Sequence, residues 1–161
     1  MSISAEIVAS YKNARPIIAR KLAQGPREDR ALALVMGASG LFFVASIPGS
    51  LRAAVINPDV PLEARLSGAL LALLFIAPLI FYALAGITGL ILRLFGGPKG
   101  LYGTRIALFW ALFCVAPLAL LQSLISGFLG PVVLTSGIGI GVFIVFLYIW
   151  FMGITEVFKQ T

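Results

Sequence analysis

Apolar residues along this chain gather into four long runs, at 31–47, 66–92, 106–129 and 132–152, and no charged residue interrupts the middle of any of them. A helix rises about 1.5 Å per residue and the hydrocarbon core of a bilayer is about 30 Å thick, so each run is long enough, or nearly so, to cross it. The pattern predicts an all-α fold, an integral membrane four-helix bundle spanning 31–158 as a single domain. An amphipathic interfacial segment over 1–30 precedes it, rich in cations and without a long apolar core.

Within that segment Ile3, Ile7, Val8 and Tyr11, then Ile17, Ile18 and Leu22, recur at helical spacing with Lys and Arg between them. Pro16 is expected to divide it into two short helices. Two roles fit the segment. It either lies on anionic headgroups, which Lys12, Arg15, Arg20 and Lys21 would contact, or serves as a charged flank that orients the first span. A cleaved secretory signal would place an uninterrupted apolar stretch soon after its basic residues, which this segment does not, so it is expected to be retained.

The runs differ in how they meet proline. The first is short and is interrupted by Pro48-Gly49 before Arg52, so it either stands nearly upright or continues past the proline. The second is longer than a bilayer requires and contains Pro78, which predicts tilt or a kink. The third holds Pro117 in similar surroundings, IAPLI against VAPLA. That pairing reads either as two ordinary kinks or as broken helices framing a midplane site.

Composition adds the solvent. With 60% hydrophobic and 11% charged residues, and a mean hydropathy of +1.06, the chain carries more apolar surface than a soluble domain of 161 residues can hide. Its 12 Lys and Arg against 6 Asp and Glu are sorted by side rather than clustered for nucleic acid. Ten of those cations fall on the N-terminal segment, the second loop and the tail, and two on the first loop. The positive-inside rule then predicts a multi-pass protein of a bacterial inner membrane with both termini cytoplasmic. Tyr102, Trp110, Tyr148 and Trp150 are expected near the cytoplasmic interface as aromatic anchors.

Candidate chemistry is sparse. There is no histidine, and the one cysteine, Cys114, lies inside the third span, where a packed thiol is expected. Every Asp and Glu lies outside the spans, so no proton or cation relay is read from the sequence, and no catalytic, cofactor or metal site is expected. Gly137 and Gly141 make a GxxxG step in the fourth span, for packing inside the bundle or for contact with a partner chain. Gln122, Ser123 and Ser126 form the most polar patch within a span, either bonding across helices or lining a small cavity.

The order of these features, SYKNARPIIARKL, a first span, a proline-punctuated loop, a second span ending in LRLFGGPKG with Gly96-Gly97, and a third span carrying CVAPLALLQSL with Ala116-Pro117, resembles the small bacterial Yip-domain membrane proteins, relatives of Rab-interacting proteins. The resemblance implies a non-enzymatic membrane protein acting through helix-helix contacts, and it assigns no catalytic residue. The chain has four spans where eukaryotic members have five, and lacks their long cytosolic N-terminal region. The expected role is an accessory, assembly or scaffold subunit of a larger inner-membrane complex, with membrane lipids and other integral subunits as partners and neither nucleic acid nor a small-molecule substrate. The alternatives are a homo-oligomeric channel or carrier for a small neutral or hydrophobic solute, and a lipid-binding protein.

Overall fold

The computed structural model describes residues 2–97, 100–130 and 132–159. Pro98, Lys99 and Pro131, which the sequence assigns to the second and third loops, lie outside those residues. Helices account for nearly all of the rest: α1 (Ile3–Lys12), α2 (Arg15–Ala23), α3 (Glu28–Ile56), α4 (Leu62–Leu70), α5 (Ala77–Leu94), α6 (Tyr102–Leu129) and α7 (Val133–Lys159). A π-helical turn, Leu71–Ile76, joins α4 to α5 without a break. Four helices, counting α4 through α5 as one, are long and apolar enough to cross a membrane. This is a multi-pass helical membrane protein.

Pro48 does not end the first span. Of the two alternatives the sequence left open, the helix runs on: α3 continues through Pro48 to Ile56 as one helix of 29 residues. Around the proline, Ser46 Oγ donates to the Phe43 carbonyl at 2.7 Å and Ser50 Oγ to the Ser46 carbonyl at 2.9 Å. Gly127 of α6 completes the fit, because a Cβ there would stand 2.7 Å from the Pro48 Cβ. Pro78 is accommodated differently. The turn before it widens, and the Ala77 N–H reaches back to the Ala72 carbonyl, so the expected kink takes the form of a π bulge.

α6 is the axis of the bundle. It contacts every other long helix as well as α1 and α2, and its residues Ile106–Trp110 are fully buried. α3 and α5 pack on one side of it and α7 on another, with no close backbone approach between α7 and α3, α4 or α5 among the described residues. α3 and α6 start side by side, tied by Arg105 Nη1 to Glu28 Oε1 at 2.6 Å. α7 runs back antiparallel, placing Val157 against Gly103. Both chain termini therefore lie at one end of the bundle. α5 ends there too, with Gly96 in the left-handed region at φ 81° while the Gly97 N–H bonds the Leu92 carbonyl at 2.8 Å.

Candidate functional site

The helix break expected near Pro16 falls at Asn13–Ala14, and Pro16 sits in the first turn of α2, where its missing N–H costs nothing. The two short helices fold into a hairpin and lie along α6 and α7. Its apolar stripe packs on protein: Ala14, Ile17 and Ile18 are buried against Trp110, Ala111, Cys114 and Ile149. Ile18 reaches so close to the backbone of α7 that a Cβ on Gly153 would lie 3.0 Å from its Cδ1 and 2.8 Å from the Cβ of Ala107.

The polar residues of the hairpin converge on Trp110. Its indole Nε1 donates to Ser10 Oγ at 3.0 Å, and Ser10 Oγ donates in turn to the Glu6 carbonyl at 2.8 Å. The Glu6 carboxylate bridges two cations, Lys21 Nζ at 2.9 Å and Arg20 Nη2 at 3.2 Å. Lys21 also stands 3.9 Å from the centroid of the Trp110 ring, a cation–π contact with the side chains of both Lys21 and Glu6 largely buried. At the tip, Tyr11 Oη donates to the Cys114 carbonyl at 2.7 Å, and Tyr148 Oη donates to the Lys12 carbonyl at 2.9 Å, capping the open end of α1. Burial raises the pKa of the Tyr11 phenol above its ordinary value.

Cys114 and Tyr148 lie near the middle of α6 and α7, so the hairpin descends half the length of the bundle. At about 1.5 Å per residue these helices run to about 40 Å, some 10 Å more than the hydrocarbon core. The charged residues Glu28, Arg105 and Glu156 all fall at the terminal end. Lys12 and Arg15 are exposed at the hairpin tip.

The residues singled out from sequence are thus divided. Of the four proposed lipid-contacting cations, Arg20 and Lys21 are engaged with Glu6, while Lys12 and Arg15 remain exposed. Ser123 Oγ donates to the Ala45 carbonyl of α3, and the Gln122 amide covers Gly139, where a Cβ would meet its Nε2 at 2.7 Å. Ser123 thus bonds α6 to α3 and Gln122 packs on α7, while no side-chain hydrogen bond of Ser126 is seen among the described residues. Gly137 and Gly141 do not pack inside the bundle: a Cβ at either meets nothing within 4 Å. Trp110, expected as an interfacial anchor, is instead fully buried at the centre of the cluster.

Sequence reasoning missed Glu6. It lies outside the spans in sequence, as expected of every carboxylate, yet the fold carries it against one. The signal that could have found it is the i, i+4 placement of Glu6 and Ser10 on the same helix face as Ile3 and Ile7. Chemically, the cluster sets one carboxylate between two cations and joins four helices. Cys114 is buried beside it as a free thiol. None of the protein families, curated proteins or solved structures compared with this chain matches it.

Proposed function

We propose that this chain is a non-catalytic integral membrane subunit that docks, helix against helix, on other integral subunits of a larger assembly in a bacterial inner membrane, with both termini cytoplasmic. The observation that carries this reading is the face of α7 bearing Gly137 and Gly141. In the same helix Gly139 is covered by Gln122 and Gly153 by Ala107 and Ile18, so α7 uses two of its glycines for close approach within the chain. Gly137 and Gly141 are open, flanked by the exposed Val133, Ile140 and Ile144. A second helix can approach there as closely as α6 does on the other side. The cation asymmetry supports the orientation. A Yip-type scaffold role, suggested by the sequence resemblance, is compatible with this surface.

The channel or carrier reading has less support, because Gln122 and Ser123 are taken up between helices. Variants Gly137→Cys and Gly141→Cys, each with Cys114→Ala so that one thiol remains, oxidised in native membranes and analysed by mass spectrometry, test the proposal. Cross-linking to a different integral protein, lost when Ile140→Trp obstructs the face, is the expected result. Cross-linking only to a second copy of this chain would favour the homo-oligomer, and none at all would remove the docking role from α7.

A further inference from the structure

At the end of the bundle opposite the termini, α3 and α6 border a groove of about 580 Å³. Its walls are apolar, chiefly Leu51, Val55, Leu124 and Phe128, and Arg52 is the one charged residue in its lining. The guanidinium of Arg52 is poorly satisfied. Its Nη1 lies 3.4 Å from the Gly127 carbonyl and 3.5 Å from that of Phe128, long bonds at the C-terminal end of α6. Its Nε is buried and has no hydrogen-bond partner. Among the described residues no carboxylate forms an ion pair with it.

Arg65, the other cation at this end, differs: its Nε donates to the Val60 carbonyl at 3.1 Å and its Nη2 to that of Asn57 at 3.0 Å, bracing its own loop. The partial negative charge at the end of α6 offsets only part of the charge on Arg52. A guanidinium presents five donors in a fork suited to the paired oxygens of a phosphate, and here the fork borders an otherwise apolar groove.

We infer that this groove binds an anionic phospholipid of the leaflet opposite the termini, its phosphate on Arg52 and one acyl chain along Leu51, Val55, Leu124 and Phe128. The site lies on α3 and α6 and does not depend on the docking face of α7. The charge selects the headgroup, and the exposed apolar side chains, Val55 and Phe128 each at 84%, gain cover from the chain.

The test is native mass spectrometry of the full-length protein in micelles containing equal phosphatidylglycerol and phosphatidylcholine. Retention of phosphatidylglycerol over phosphatidylcholine by about tenfold is expected, falling by about tenfold in Arg52→Gln and unchanged in Arg65→Gln. Leu124→Trp, which keeps the charge and fills the groove, should lower retention with the same thermal unfolding as the parent, so the site stays testable even where Arg52→Gln is unstable. Equal retention of the two lipids would overturn the inference, as would a Leu124→Trp protein that keeps its phosphatidylglycerol. Retention of added oleate without phosphatidylglycerol would also overturn it, replacing a phospholipid with a single-chain acid.

Discussion

The ammonium of Lys21 stands 3.9 Å from the ring centroid of Trp110 while the Glu6 carboxylate holds it at 2.9 Å. One cation thus joins α1, α2 and α6 in a largely desolvated position, where removing a single partner strands the other charge. Glu6→Gln is expected to weaken hairpin docking by about 2 kcal/mol, and Lys21→Met by less, because Arg20 remains to neutralise Glu6. Hydrogen exchange of residues 3–23 reads this directly. Unchanged protection in Glu6→Gln would show that the apolar contacts alone hold the hairpin.

Gly153 tests those apolar contacts. A methyl there overlaps Ala107 and Ile18, so Gly153→Ala should destabilise by about 1–3 kcal/mol and raise exchange in α2 first. Gly137→Ala, with nothing within 4 Å, should leave thermal unfolding within about 0.5 kcal/mol of the parent. If Ile18→Ala fails to rescue Gly153→Ala, the overlap lies with Ala107.

Tyr11 supplies a pH dependence. Its hydroxyl must keep its proton to bond the Cys114 carbonyl, and burial raises its pKa in the folded state above the ordinary value of about 10. A group with a raised folded value contributes stability that is whole below the unfolded pKa and declines as pH rises through the folded one. Hairpin docking should therefore loosen above pH ~10, and Tyr11→Phe should lose about 1 kcal/mol at neutral pH together with part of that alkaline sensitivity. Phenolate absorbance, compared between parent and variant, locates the transition. A Tyr11 that ionises at the ordinary phenol value would remove the effect.

The seat of Pro48 on Gly127 predicts a compensating pair. Gly127→Ala drives a methyl into the Pro48 ring and should lower unfolding temperature by several degrees. Pro48→Ala in the same chain should recover most of it. Additive losses would mean that the two residues act separately.

Much of this architecture could be read from the chain, and the boundary of what could is physical. Four spans follow from length and apolarity, since lipid demands helices whatever their neighbours are. Which side of each helix faces protein does not follow, because lipid and core are equally apolar: Gly137 and Gly139 are two residues apart, and only the fold shows the second covered and the first open. Trp110 was legible as an amphipathic ring near an end, but its burial depends on the hairpin, a contact between residues a hundred positions apart. Arg20 and Lys21 look like Lys12 and Arg15 in sequence, and only the placement of Glu6 separates them. Pro48 reads equally as a stop or a continuation, and only the fold shows the helix running on, with Gly127 giving the ring room.

The hairpin on Trp110 also has a consequence in time. Its residues are synthesised before α6 and α7, which supply Trp110, Tyr148 and Ile149. The contacts of the hairpin can therefore close only after those spans are made, and its docking marks their insertion.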